Sequence, residues 1–147
     1  MNFWEKKKPC WCRASCVGQV VNLPYKGETN LNTQVFARKL IDVIEDKKGE
    51  NIILMEISGV SVIADYFVIA TGSSDRQLKA LADAVAEAGE EIAKRRVLLK
   101  NVDGQAESGW ILIDLGDVIV HIFSPLQRKH YNLEGLWSEA KVLLRVQ

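Results

Sequence analysis

The chain has 147 residues, the length of one ordinary domain with a single core. Its 19 Lys and Arg balance 19 Asp and Glu, and its 48% hydrophobic content is that of an ordinary soluble domain. Zero net charge argues against holding nucleic acid by phosphate neutralisation alone. No apolar run approaches the ~20 residues of a membrane span, so neither direct nucleic-acid binding nor membrane association is expected.

Residues 1–31 break every period, through Lys6-Lys7-Lys8-Pro9, Cys10, Cys12, Cys16, Pro24 and Gly27. They read as a poorly ordered N-terminal extension. A targeting segment is an alternative, weakened by acidic Glu5 and the lack of an Arg-rich amphipathic pattern. An upstream start or vector-encoded residues are others. The three cysteines offer three thiolates where a structural zinc site wants four ligands, and the only histidines, His121 and His130, lie far along the chain. No metal site is expected.

The folded domain is expected over residues 32–147. Thr33 reads as an N-cap, with Phe36, Leu40, Val43 and Ile44 following at helical spacing and Lys47-Lys48-Gly49 closing the helix as a glycine C-cap. Residues 51–57 and 65–71 read as strands, the second nearly all apolar and so central. Gly72-Ser73-Ser74-Asp75 breaks the chain and caps a long helix. Its buried stripe is Leu78, Leu81, Ala82, Val85, Ala88, Gly89 and Ile92, and its solvated face carries Lys79, Asp83, Glu87, Glu90, Glu91 and Lys94. Residues 97–102 read as a third strand and 103–109 as a loop. Residues 110–114 and 117–123 form a hairpin across Leu115-Gly116. Leu133, Leu136, Trp137, Ala140, Leu143 and Leu144 predict a closing helix. The order α-β-β-α-β-β-β-α predicts an α/β fold, a mixed β-sheet of about five strands with helices packed on it.

Both histidines, with an Arg, a Tyr and a Glu, fall between His121 and Trp137, a stretch that invites a catalytic reading. The partners are missing. His121 lies in an alternating strand, where Val118, Val120 and Ile122 face one way and Ile119, His121 and Phe123 the other. A histidine there is normally a structural residue bonded to a backbone or carboxylate group. Residues 32–147 hold no Cys, Ser124-Pro125 lacks a hydrolase's glycine elbow, and no Walker or dinucleotide loop appears. The Gly72–Asp75 turn offers backbone amides to an anion and faintly resembles the Gly-Ser motif of nucleotidyltransferases. Those enzymes need two carboxylates one residue apart to hold two metal ions. Asp83, Asp114 and Asp117 do not supply that spacing, so simple helix capping is the plainer reading. No catalytic residues and no cofactor are expected.

What remains is surface. Trp110 starts a strand directly after a glycine, and an aromatic there is either core or an exposed anchor for a partner. Asp114-Leu115-Gly116-Asp117 sets two carboxylates at a hairpin tip, which ordinary turn chemistry explains equally well.

Three collinear blocks carry a resemblance. The run from Ser61 to Ser74, with Ala64-Asp65-Tyr66-Phe67-Val68-Ile69-Ala70-Thr71-Gly72 at its centre, resembles a signature of the ribosomal silencing factor (Iojap-like) family, and Arg76-Gln77 follows as in that pattern. The segment from Trp110 to His121, with Asp114, Gly116-Asp117 and Val118-Ile119-Val120, resembles a second block. Phe123, Pro125, Arg128, Tyr131, Leu133, Glu134, Leu136 and Trp137 match a third.

The resemblance spans about residues 32–140 and implies a non-enzymatic translational repressor with a nucleotidyltransferase-like fold. It implies binding to the large ribosomal subunit through ribosomal protein L-fourteen and steric blocking of the small subunit, so that translation falls when nutrients are scarce. It also implies a homodimer and a cytoplasmic, bacterial setting, with organellar relatives. Carried over residue by residue, Trp110 is the first contact candidate with Asp114 and Leu115 beside it. Asp65, Arg76 and Tyr131 follow, and each of those can instead support the fold. The end of the long helix at Arg95-Arg96 and the loop from Lys100 to Gln105 depart from the family pattern. The alternative is a nucleotide-binding or nucleotidyltransferase-like enzyme, resting on the Gly72–Asp75 turn.

Overall fold

The computed structural model describes residues 25–93 and 102–147, and Leu31–Gln147 forms one compact unit. Cys10, Cys12 and Cys16 lie outside the described residues, as does nearly all of the strand expected over 97–102.

Helix α1 (Tyr25–Asp46) reaches well before the expected start at Thr33, which instead lies buried inside the helix. Gly27 costs a helix only about 1 kcal/mol and does not stop it. The C-terminus closes with Gly49 N–H donating to the Ile44 carbonyl (2.9 Å) and Lys48 N–H to that of Glu45 (2.9 Å), the paired bonds of a Schellman motif. The left-handed residue is Lys48 (φ 62°), not the expected glycine. Gly49 is required for room, since a Cβ there would run into the Ile44 side chain.

Strands β1 (Glu50–Glu56) and β2 (Tyr66–Thr71) pair antiparallel. Helix α2 (Asp75–Ala93) follows, and its expected stripe is buried from Leu78 to Gly89 while Lys79, Asp83, Glu87, Glu90 and Glu91 are exposed. The segment expected as a loop holds strand β3 (Val102–Gln105) and a single 3-10 turn (Ala106–Ser108). Strands β4 (Trp110–Asp114) and β5 (Val118–Phe123) form the expected hairpin, with Gly116 at φ 90°. Two short helices follow, α3 (Pro125–Tyr131) and α4 (Leu133–Leu136).

The expected closing helix is not continuous. It yields to β6 (Lys141–Val146), which pairs antiparallel with β1. The apolar spacing from Leu133 to Leu144 satisfies a helix, but Leu143 and Leu144 pack on the core as an edge strand instead.

Among the described residues the sheet has six strands, where about five were expected, ordered β3-β4-β5-β2-β1-β6. It is mixed: β2 and β5 run parallel in the centre and the other pairs are antiparallel. The period-two alternation sorts its side chains into two layers. Ile52, Leu54, Val68, Ile113, Val118, Val120 and Ile122 join Leu40, Ile41, Ile44, Leu78, Leu81 and Val85 beneath α1 and α2. Ile53, Met55, Ile57, Phe67, Ile69, Ile119 and Phe123 form the other layer, against which Trp110, Leu112, Leu133 and Trp137 pack half-buried.

Candidate functional site

Trp110 is placed by glycines on both sides. Gly109 takes φ 75°, and a Cβ on it would come within 2.6 Å of Ser124 Oγ. Gly104, at φ 87°, lets β3 pass against the Trp110 carbonyl, where a Cβ would collide. Ser108 Oγ donates to the Gln105 carbonyl (2.6 Å) and sits 3.2 Å from that of Trp110.

The indole then lies across an aromatic group. Its centroid is 4.6 Å from Tyr131 at 46°, 5.2 Å from Phe123 at 25° and 6.1 Å from His121 at 33°. A groove of about 220 Å³ opens here, lined by Asp103, Gly104, Ser108, Trp110, Leu112 and Tyr131. Its wall is amphipathic, since Trp and Tyr each present a large apolar body with a polar tip.

Helix α3 carries Tyr131 and is locked to the sheet by Arg128. The guanidinium Nη1 donates to the Asn51 carbonyl (2.5 Å) and to Thr71 Oγ1 (2.6 Å), while Nε and Nη2 hold Glu134 Oε1 at 2.9 and 2.5 Å. One side chain thus ties α3 and α4 to the ends of β1 and β2. Ser124 caps α3 by accepting from Gln127 N–H (3.3 Å).

The sequence-predicted residues separate into three places. Trp110 and Tyr131 meet in the groove. Asp114 shares the Trp110 face of β4 but stands at the far end of the strand, where its carboxylate accepts from Gly116 N–H (2.8 Å). Asp65 is at that same end: its N–H donates to the Asp117 carbonyl (2.9 Å). Burial first, then Glu56 and Asp65, push the neighbouring Tyr66 hydroxyl above its ordinary pKa. Leu115 is buried on the opposite face, in the layer under the helices. Arg76 is exposed on the first turn of α2, which covers that opposite face. Leu112, Asp103 and Ser108 were not anticipated. The period of β4 places Leu112 beside Trp110, whereas Asp103 and Ser108 enter only through the β3–β4 pairing.

His121 is buried and its pKa is pushed down to about 4 by that burial. Its partner is neither backbone nor carboxylate: Trp110 Nε1–H donates to His121 Nδ1 at 3.4 Å. His130 is exposed on α3, its ring set edge-on to Tyr131 at 5.1 Å.

The Gly72–Asp75 turn is occupied by the chain itself. Gln77 Oε1 accepts from Ser73 N–H (2.8 Å) and Ser73 Oγ–H (2.7 Å), Ser74 Oγ accepts from Gln77 N–H (3.3 Å), and Gln77 Nε2 donates to the Lys48 carbonyl (2.5 Å). The donors that an anion would need at Ser73 serve a helix cap instead. Among the described residues, no group of three or more His, Cys, Asp and Glu could hold a metal ion, and no helix is long and apolar enough to cross a membrane.

A family described as ribosomal silencing factor during starvation matches residues 30–147. The chain belongs to the ribosomal silencing factor family. It is 36% identical over 110 residues to ribosomal silencing factor RsfS of Halalkalibacterium halodurans, covering 75% of this chain and 92% of that one. It is 41% identical over 96 residues to RsfS of Bacillus subtilis, covering 65% and 79%. A mouse relative, mitochondrial assembly of ribosomal large subunit protein 1, is 25% identical over 67% of this chain and 43% of its own length. A solved structure from Chromobacterium violaceum superposes with a TM-score of 0.65 at 35% identity, covering 71% of this chain and 85% of that one. One from Bacillus halodurans gives 0.61 at 32% identity, covering 78% and 98%. The ribosomal silencing factor family is named for regulation of the ribosome rather than for a catalysed reaction, and its mixed α/β fold is the one described above.

Proposed function

We propose that this protein docks on the large ribosomal subunit through ribosomal protein L-fourteen and sterically blocks the small subunit, lowering translation when nutrients are limiting. The observation that carries the reading is the Trp110–Tyr131 groove, set on the sheet face that α1 and α2 leave free, in a member of a ribosomal silencing family. The name of the mouse relative, which specifies the large subunit, supports the choice of subunit. Half-buried aromatics beside a shallow groove are the usual anchors of a protein interface. Zero net charge suits a protein patch better than exposed rRNA.

Trp110 and Tyr131 are the central contacts, with Leu112 on the groove wall and Asp114 further along the same face. Asp65, Leu115 and Arg76 act through the fold or at the margin. The protein acts in the cytoplasm, without catalysis, and forms a homodimer as the family resemblance implies.

Sedimentation of mixed subunits tests the reading. Added protein is expected to reduce joined ribosomes, and undiminished joining overturns it. Trp110→Ala is expected to weaken large-subunit binding by about 2 kcal/mol, roughly 30-fold. Cross-linking from the groove should recover L-fourteen, and recovery of a different protein instead refutes that choice of partner.

A further inference from the structure

The side chain that holds Trp110 in place is itself out of reach of any partner. His121 sits on β5 in the interior of the sheet and is only 5% exposed. Trp110 is paired with Phe123 across the hairpin, and Leu112 with His121, so His121 reaches the indole diagonally along one face. The bond runs from Trp110 Nε1–H to His121 Nδ1 at 3.4 Å. Nδ1 accepts only in a neutral ring whose proton is on Nε2.

That arrangement is a poor solution for stability alone. His121 Nε2 is buried and has no hydrogen-bond partner among the described residues. The ring is instead held by carbon. Phe67 on β2 meets it edge-on at 4.9 Å and 79°, and Phe123 lies parallel to it at 6.1 Å and 8°. A phenylalanine would fill such a place without burying an unpaired N–H. What histidine supplies and phenylalanine lacks is an acceptor for the indole N–H, the one polar handle of Trp110. With that handle fixed, the rim that Trp110 presents to the groove is fixed as well.

We propose that His121 is a positioning residue for the docking surface: its Nδ1 anchors the Trp110 indole and so sets the shape of the groove, while His121 touches no partner. The proposal rests on the reading of Trp110 as a ribosome contact. It adds a buried residue to a surface otherwise defined by exposed and half-exposed ones.

Large-subunit binding is measured for wild type, Trp110→Ala, His121→Phe and His121→Asn, with thermal melting and the indole N–H resonance of Trp110. Phe keeps the ring and removes the acceptor, whereas Asn returns a carbonyl oxygen near the position of Nδ1. His121→Phe is expected to melt at or above wild type, to displace the indole resonance and speed its exchange, and to bind about fivefold more weakly. His121→Asn should recover the resonance and most of the affinity despite a lower melting temperature. Wild-type affinity in His121→Phe, or an undisturbed indole resonance, overturns the proposal. Should His121→Phe not fold, exchange of the indole N–H in the wild-type protein decides: protection supports the anchor and free exchange refutes it. Wild-type binding by Trp110→Ala would sink the docking reading itself. That outcome is told apart from loss of the anchor by the indole resonance, which is read without the ribosome.

Discussion

The two faces of the sheet are built on different principles. Beneath α1 and α2 the layer is almost wholly aliphatic, with Leu40, Ile44, Leu54, Leu81, Val85 and Val120 fully buried. On the other face Phe67, Trp110, His121, Phe123, Tyr131 and Trp137 gather, covered only in part by the short α3 and α4. Aliphatic packing fills volume without polar obligations and suits a permanent core. Aromatic side chains with polar tips tolerate a boundary that is open in one state and covered in another. One strand register serves both ends, since neighbouring residues of β4 point to opposite layers. Stability and recognition can therefore be altered nearly independently by substitutions one residue apart.

Four measurements test this contrast. Leu81→Ala, a cavity under α2, should cost about 3 kcal/mol by urea unfolding while the folded fraction binds large subunits normally. A matching loss of intrinsic affinity would show that the faces are coupled. Next, acid should act on the aromatic face through His121, whose folded pKa of about 4 lies below the ~6.5 of an unfolded histidine. Because the fold favours the neutral ring, its contribution is complete above pH 6.5 and is lost as pH falls towards 4, by up to about 3 kcal/mol. The wild-type stability minus that of His121→Phe should fall across this window, and a pH-independent difference would contradict a buried neutral ring. Arg128→Leu removes the tie from α3 to Asn51, Thr71 and Glu134. It should cost about 2 kcal/mol in stability and also weaken binding, because α3 carries Tyr131. Finally, Leu126→Ser, at a side chain 76% exposed on the outside of α3, should stay within about 0.5 kcal/mol of wild type in melting.

Much of the architecture was legible from period alone. The stripe of α2, the near-continuous apolar β2 and the alternation of β5 all stand as their sequences predict, and the hairpin turn falls at Leu115-Gly116. Failures came where a second part of the chain decides. β6 reads as helix until β1 offers it a pairing edge. β3 is a strand because Gly104 can approach Trp110 closely, which no local pattern announces. The site divides the same way. Trp110 stood out as an aromatic behind a glycine, and simple alternation from it assigns Leu112 to its face and Leu115 to the other. Tyr131 as its neighbour and His121 as its hydrogen-bond partner required the hairpin register and the seating of α3, which Arg128 fixes from across the sheet.

The parallel pairing of β2 with β5 has a kinetic consequence. β1 with β2, and β3 with β4 and β5, are laid down by neighbouring stretches of chain. The strand pairing between these two blocks is the β2–β5 seam, from Tyr66 opposite Val118 to Thr71 opposite Phe123, with α2 between them in the chain. Closing it costs the entropy of a long loop before any packing is returned. Assembly of the sheet thus needs two long-range closures, the docking of these locally formed blocks at β2–β5 and the addition of β6 to the edge of β1. The rate of that docking belongs to the seam, where Val68 and Val120 on one side and Phe67 and Ile119 on the other must come together at once.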